Sequence, residues 1–322
     1  TDNTAAKHQT DNLAELAALL DGRKVLTMAG HTHTTENIEP GEGFEGWEAA
    51  TGLATSPFHQ LVIGGLSGSW WAGDLNAEGV PHATQRLGSP RGYFRLDFDG
   101  ATFVDTYLTF HTTEDSQFHA AFNTPRFRKW ADALITYAEL YGTPSKVLPP
   151  VTRNDLADPF MLTRADLEGD SWVAVNVWNG GKSTEVTVSI DGGTPMVATR
   201  TQPGEGEAKY RGLDYADPAA ILKQATQGSL AIRSDRGGDD TAGYAMFQGN
   251  RMSGVAGPFP RWLLTDNSLH LWRADLPSDL SDGVHVMTVT ATDRHGRAFT
   301  TDYTFEVVAE IPQMTWQTQL WQ

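Results

Sequence analysis

Two histidines lie two residues apart near the start of the chain, in the segment Gly30-His31-Thr32-His33. Imidazole is a ligand for Zn, Fe and Ni, and its neutral form near pH 7 has a nitrogen lone pair to donate. Gly30 lacks a Cβ, so the backbone can turn sharply just before the pair. The segment therefore predicts a metal site in which His31 and His33 are two of the ligands. The alternative is that they are two ordinary polar loop residues.

The residues before this pair predict a helix followed by a short strand. A helix is expected between a capping residue at Asp11 and Gly22, and a strand over 24–28. The apolar residues with helical spacing are Leu13, Leu16, Ala17 and Leu20. A helix followed by a buried strand is typical of a layered α/β unit, in which sites collect at the carboxyl ends of the strands. The two histidines follow that end of the strand.

Further elements are expected in the first half of the chain. Residues 34–57 are rich in Glu, Gly and Thr and predict a surface loop, and a strand is expected at 61–63. Alternation over 93–98 and 102–110, joined at an Asp-Gly turn, predicts a β-hairpin. Residues 125–141 carry an apolar stripe with helical spacing, which predicts an amphipathic helix.

The pattern changes after about residue 155, where short alternating segments are separated by turn residues. Strands are expected at 172–178, 185–190, 284–291 and 298–308, with a short helix near 218–224. Strands at this spacing predict a β-sandwich of the immunoglobulin-like type. The tryptophans expected in its core are Trp172, Trp178, Trp262 and Trp272. A sugar-binding aromatic platform is the alternative role for these rings.

Composition limits the class of protein. The chain has 322 residues, of which 39% are hydrophobic, and this length predicts two domains. Its net charge of −16 argues against non-specific nucleic-acid binding and against a polybasic membrane anchor. The absence of cysteine excludes disulfides, thiolate zinc sites and thiol catalysis. No apolar segment is long enough to span a bilayer and no signal peptide is evident; because the first residue is Thr1, we expect a processed or truncated N-terminus.

Residues 26–33 resemble the last metal motif, Gly-His-x-His, of the calcineurin-like metallophosphoesterases. Later segments are similar to the subgroup of that family with a C-terminal β-domain, so the resemblance extends over most of the chain. The segments similar to the subgroup are 65–74, 79–81, 88–93 and 97–100, and those that resemble the end of its β-domain are 271–277, 283–285 and 293–296.

The resemblance implies a two-metal phosphoesterase. In the family the first histidine of this motif binds one metal and the second binds the other, which implies that His31 and His33 contact different ions. Such ions lie about 3.5–4 Å apart, bind the phosphoester and activate a bridging water. The metals it implies are drawn from Mn, Fe, Zn and Ni. Exported family members imply an extracytoplasmic location in a bacterium.

The other metal motifs of the family are missing from their expected place. Asp-x-His, Gly-Asp-x-x-Asp and Gly-Asn-His come before Gly-His-x-His in the family, and only 29 residues precede Gly30. His8 lacks a preceding apolar strand, and Asp293-Arg294-His295 has the Asp-x-His pattern at a predicted hairpin turn, where a turn role is expected. We therefore expect the chain to be the C-terminal portion of a longer enzyme, inactive by itself and weak in metal binding.

The other features predict no second catalytic site. The glycines of 64–73 lack the Lys-Ser/Thr ending of a phosphate-binding loop, so they are expected to permit close packing beside Trp70 and Trp71, with Asp74 as a turn residue. The remaining histidines are expected to be surface or hydrogen-bonded residues: His59, His82, His111, His119, His270 and His285.

The sequence thus predicts an α/β domain followed by an all-β domain. Residues 1–115 are expected to close a phosphoesterase α/β sandwich, 116–150 to form a helix and linker, and 151–311 an immunoglobulin-like β-sandwich, with 312–322 as a tail of no assigned role. The rival hypothesis is a non-catalytic β-sandwich module that binds glycan or protein, in which the histidine pair has no function.

Overall fold

The computed structural model describes residues 12–66, 68, 84–110, 112–141, 150–151, 155–156, 158–223, 225 and 267–311. Over these residues the fold is mixed α/β, with most elements in four sheets and few helices. Several predictions fall outside the described residues: those for His8, Asp11, Trp70, Trp71, Asp74, His82, His111, Trp262 and the tail 312–322. Within the described part of the chain, no helix has the length and apolarity needed to cross a bilayer.

A three-stranded sheet lies at the start of the described chain. Helix α1 (Leu13–Leu19) leads into strand β1 (Leu26–Ala29), close to the predicted positions. Strand β2 (Glu36–Ile38), helix α2 (Trp47–Thr51) and strand β3 (His59–Val62) follow. β3 is the central strand; it pairs in parallel with β1 and antiparallel with β2. The parallel pair has the α/β character that the sequence predicts.

The prediction of a surface loop over 34–57 is wrong. All three residues of β2 are buried, and Trp47 at the start of α2 is only 3% exposed. Distant groups hydrogen-bond some of the buried polar side chains of this segment. Asn37 Nδ2, for example, donates to the carbonyl of Asn179 at 3.0 Å, 142 residues further along the chain. A polar composition predicts exposure only where such partners are absent.

The predicted hairpin is confirmed. Strands β4 (Gly92–Asp99) and β5 (Thr102–Thr109) pair in antiparallel register up to the pair Asp99 and Thr102. The connecting residues are therefore Gly100 and Ala101, one position later than the predicted turn, and Gly100 has the positive φ of 57° that this turn requires.

Two larger sheets form the second half of the fold. One has five strands in the order β10-β9-β13-β14-β7, and the other has four in the order β11-β12-β8-β6. Their bounds are β6 Phe118–Asn123, β7 Met161–Thr163, β8 Trp172–Val177, β9 Glu185–Ile190, β10 Met196–Val197, β11 Thr199–Arg200, β12 Leu271–Asp275, β13 Gly283–Thr292 and β14 Ala298–Val308. Strand β6 lies within 116–150, which the sequence analysis assigned to a helix and linker; five of its six residues are buried, so no alternation marks it.

The apolar faces of these two sheets share one core. Val175 of the four-stranded sheet and Val188, Met287 and Phe305 of the five-stranded sheet are at most 2% exposed and belong to a single cluster. Trp172, Trp178 and Trp272 are 1%, 3% and 2% exposed, as predicted for buried rings. None of these three rings is therefore available as an exposed platform for a sugar.

The predicted amphipathic helix is confirmed as α3 (Pro125–Tyr141). It begins after Thr124, whose hydroxyl accepts the backbone N–H of Phe127 at 3.1 Å and so caps the helix. Its apolar stripe packs in a separate cluster, which also contains Leu156 and Ile221. Helix α4 (Arg164–Glu168) lies between β7 and β8, and residues 218–223 are helical, as the sequence predicts.

Candidate metal centre at the end of strand β1

The histidine pair follows the carboxyl end of β1, where the sequence places it. The backbone N–H of Ile63, just after β3, donates to the carbonyl of Ala29 at 2.7 Å and extends the parallel pairing to the start of the turn. His31 and His33 have φ values of 81° and 57°. A left-handed backbone costs a non-glycine residue about 1–2 kcal/mol. Such strain persists where surrounding contacts impose it, and it concentrates at functional sites.

Arg86 holds the backbone of this turn. Its backbone N–H donates to the carbonyl of His33 at 3.0 Å, and its side-chain Nη1 donates to the carbonyl of Thr32 at 3.0 Å. The guanidinium contact joins residues 54 positions apart. The conformation of the turn therefore depends on a distant part of the chain.

A chain of hydroxyl groups orients the threonines of the same turn. Thr34 Oγ1 donates to Glu36 Oε1 at 2.7 Å and lies 2.7 Å from Thr32 Oγ1. Because Thr34 has one hydroxyl proton, which goes to the carboxylate, it accepts the proton of Thr32. All three side chains are buried, whereas His31 is exposed and His33 half-buried. The turn thus buries its threonines and leaves its histidines nearer the surface.

The pair has the right donor chemistry for a metal, but the described residues do not complete a site around it. Nowhere in the described chain do three or more His, Asp or Glu residues form a group that could hold a metal ion. A protein metal centre normally needs at least three protein ligands. His31 and His33 thus fit as two ligands of a metal centre, and their roles stay a prediction.

Asp293 has the turn role that the sequence predicts. Its Oδ1 accepts the backbone N–H groups of His295 and Arg297, both at 2.9 Å. The side chains of Arg294 and His295, which follow Asp293 in the hairpin turn, instead bind a carboxylate of another element. The Asp-x-His pattern is therefore a structural turn, since its histidine binds Asp105.

Asp105 of β5 lies at the centre of a charged cluster that sequence reasoning missed. Its side chain is 1% exposed and accepts hydrogen bonds from Arg294 Nε at 3.0 Å, from His295 Nε2 at 2.8 Å and from Asn179 Nδ2. Burial raises the pKa of Asp105, but the hydrogen bond from His295 and the charge of Arg294 outweigh it and lower the pKa to about 2. The cluster connects the β4–β5 hairpin to the turn between β13 and β14.

A second network runs through the four-stranded sheet. Trp178 Nε1 donates to His119 Nδ1 at 2.8 Å, so His119 carries its proton on Nε2 and donates it to Asp217 Oδ2 at 2.7 Å. Asn176 Nδ2 also donates to Asp217 Oδ2, at 2.9 Å, and Asn176 Oδ1 accepts from His270 Nδ1 at 2.7 Å. Burial lowers the pKa of the fully buried His270 to about 3.

These contacts account for most of the other described histidines. Protein groups occupy both ring nitrogens of His119, and His285 contacts Asp191 and the Ser281 carbonyl through its two nitrogens. The prediction that His119, His270 and His285 are hydrogen-bonded is confirmed. His59 is buried with its ring edge-on to Phe103 at 5.4 Å, and burial lowers its pKa to about 4.

Comparison with known families assigns the chain to a protein family. The family model for the C terminal of calcineurin-like phosphoesterase matches residues 60–234, which is more than half of the chain. The chain belongs to this family. Comparisons with curated proteins and with solved structures gave no match. The family expected from the sequence is thus confirmed, and a phosphoesterase-type function follows from it at the level of the family.

The matched range includes some of the features described above and leaves out others. They begin within β3 and include Arg86, Asp105, His119 and Asp217. His31 and His33 come before the match, and strands β12 to β14 come after it. Family membership is therefore established by the segment that supports the turn and not by the histidine pair itself.

Proposed function

We propose that this chain contributes the C-terminal part of a metal-dependent phosphoester hydrolase, with His31 and His33 as ligands of its metal centre. The observation that carries the proposal is the pair of histidines in left-handed conformation at the carboxyl end of a parallel strand. This is where α/β sheets collect their sites. Membership of the phosphoesterase C-terminal family supports the reaction class.

The remaining ligands belong, in this proposal, to polypeptide outside the 322 residues. The three other metal motifs of the family do not precede Gly30 in the sequence. Exposed apolar residues flank the same region, since Leu19 of α1 is 72% exposed and Met28 of β1 is 57% exposed. β1 is also an edge strand of the described sheet. A further α/β segment packed here would cover these side chains.

The metals named by the resemblance are Mn, Fe, Zn and Ni, and imidazole is a ligand that all four accept. When bound, such metals lower the pKa of a coordinated water and polarise the phosphoryl oxygens of a phosphoester. The contribution of this chain is to place two imidazoles on a fixed turn. The β-sandwich, which we propose to be of the immunoglobulin-like type, supports that turn.

The test combines turnover with metal binding. The purified 322-residue chain is assayed with bis(p-nitrophenyl) phosphate and p-nitrophenyl phosphate in the presence of Mn²⁺, Zn²⁺ or Ni²⁺, and no turnover is expected because the ligand set is incomplete. A Zn²⁺ titration followed by imidazole NMR is expected to perturb the rings of His31 and His33. His31→Ala and His33→Ala remove this response.

Asn12→Ala is the matched control, because Asn12 has the same φ of 57° as His33 but lies outside the turn. It should leave the Zn²⁺ response unchanged. Turnover by this chain that His31→Ala abolishes would overthrow the proposal that ligands are missing from it. A titration that leaves both rings unperturbed would reject the metal assignment and favour the non-catalytic binding module.

A further inference from the structure

We propose that Arg86 is a positioning residue for the histidine pair, and that the β-sandwich holds Arg86 in place through the segment 84–91. The inference rests on the proposed function of His31 and His33. It adds that the C-terminal sandwich sets the geometry of the metal-binding turn.

Two hydrogen bonds from Arg86 fix the backbone on both sides of His33. The Thr32 carbonyl belongs to the peptide group before His33, and the His33 carbonyl belongs to the peptide group after it. The backbone N–H of Arg86 donates to the His33 carbonyl, and Arg86 Nη1 donates to the Thr32 carbonyl, each at 3.0 Å. The orientations of these two peptide planes determine φ and ψ of His33. Arg86 therefore stabilises the left-handed conformation that directs this imidazole.

Arg86 itself lies in a tight turn. The N–H of Gln85 donates to the carbonyl of Ser89 at 2.7 Å, and the N–H of Gly88 donates back to the carbonyl of Gln85 at 3.0 Å. Gln85 Nε2 donates to the carbonyl of Gly65, just beyond β3, at 2.6 Å. The turn is thus anchored to the same sheet that carries the histidines.

The other side of this turn is bound to the sandwich. Asn176 of β8 is fully buried, and its Nδ2 donates to the carbonyl of Leu87 at 2.8 Å, one residue after Arg86. A Cβ on Gly88 would lie 2.2 Å from Asp217 Oδ2 and 2.7 Å from Asn176 Nδ2. The turn therefore packs against the buried network of the sandwich without space for a methyl group.

These contacts form a continuous connection from the sandwich to His33. The network of His119, Asp217 and His270 orients Asn176, Asn176 holds Leu87, and the adjacent Arg86 holds the two peptide groups around His33. Groups that orient a metal ligand commonly change metal affinity by about 10–100-fold when they are removed. Loss of the Arg86 guanidinium should have an effect of this size.

The experiment uses the full 322-residue chain and Zn²⁺ as the probe. Arg86→Ala is compared with Arg86→Lys, which retains a donor near the Thr32 carbonyl, and with Arg211→Ala, which removes an exposed arginine from another loop. The measurements are the metal-free amide resonances of residues 32–34, the Zn²⁺ affinity at the His31 and His33 rings, and the thermal midpoint.

Arg86→Ala is expected to shift the amide resonances and to weaken Zn²⁺ binding by about tenfold or more. Arg86→Lys should recover part of this loss, and Arg211→Ala should match the parent chain. Should Arg86→Ala fail to fold, Arg86→Gln, which keeps the aliphatic stem, takes its place.

Unchanged amide resonances and unchanged Zn²⁺ affinity in Arg86→Ala would overturn the proposal. So would a loss of affinity that only follows a lowered thermal midpoint and that Arg86→Lys does not relieve. Failure of the parent chain to bind Zn²⁺ at the pair would instead reject the proposed function. In that case the metal-free amide resonances still decide whether Arg86 positions the turn.

Discussion

Replacing the buried carboxylate of Asp105 tests the charged cluster that joins the β4–β5 hairpin to the turn between β13 and β14. The pKa of Asp105 is lowered from 3.8 to about 2 in the folded chain. Each unit of difference between the folded and unfolded states corresponds to about 1.4 kcal/mol, so the ionised carboxylate contributes about 2 kcal/mol to the free energy of unfolding. Because the folded-state pKa is the lower one, this contribution is complete above about pH 4 and is lost as the pH falls through about 2.

Asp105→Asn keeps the shape of the side chain but removes its charge. At pH 7 we expect the free energy of unfolding to fall by at least about 2 kcal/mol, and by up to about 5 kcal/mol because Arg294 then lies in the cluster without its carboxylate. The difference between the parent chain and the variant should shrink as the pH is lowered from 4 to 2.

The measurement is urea unfolding followed by tryptophan fluorescence, in steps from pH 7 to pH 2. Asp97→Asn is the matched control on the same hairpin. The Asp97 side chain is 61% exposed and pairs with Arg95 at 2.9 Å, so its loss should cost less than about 1 kcal/mol. Equal stability of Asp105→Asn and the parent chain at pH 7 would refute the reasoning, and so would a difference that stays constant down to pH 2.

Two further predictions concern the network beneath the Arg86 turn. Gly88→Ala, where φ is 97° and the new Cβ meets Asp217 Oδ2 at 2.2 Å, should cost about 2–5 kcal/mol in urea unfolding. Gly206→Ala is the control: φ is 100°, but the added Cβ has no atom within 4 Å, so the loss should be only about 1–2 kcal/mol. Equal losses of stability in the two variants would contradict the steric argument. His270 has a folded-state pKa of about 3 against 6.5, so the unfolded chain takes up its proton first and stability should fall as the pH decreases from about 6.5 towards 3. His270→Asn keeps a donor towards Asn176 and should flatten the dependence of stability on pH between about 6.5 and 3. A slope as steep as that of the parent chain would show that His270 is not the group that causes it.

Local patterns were enough to predict many elements of the fold. The helical stripe of 125–141 and the alternation of 185–190 and 298–308 appear in the structure with those same bounds. These patterns succeed because a side chain's position along a helix or strand depends on spacing within a few residues. The family resemblance and the position of the histidine pair after a parallel strand also came from short segments of sequence.

The tertiary structure alone decided which polar residues are buried and what supports the histidine turn. Glu36 and Asn37 were expected in a surface loop and are buried, while Asp105 binds His295 across 190 residues of sequence. Arg86 reaches the Thr32 carbonyl across 54 residues. No spacing rule connects such pairs, because the partners come from different elements and meet only when the sheets pack. A buried polar group is stable only with its partner in place, so the sequence of one segment cannot show where that group will lie.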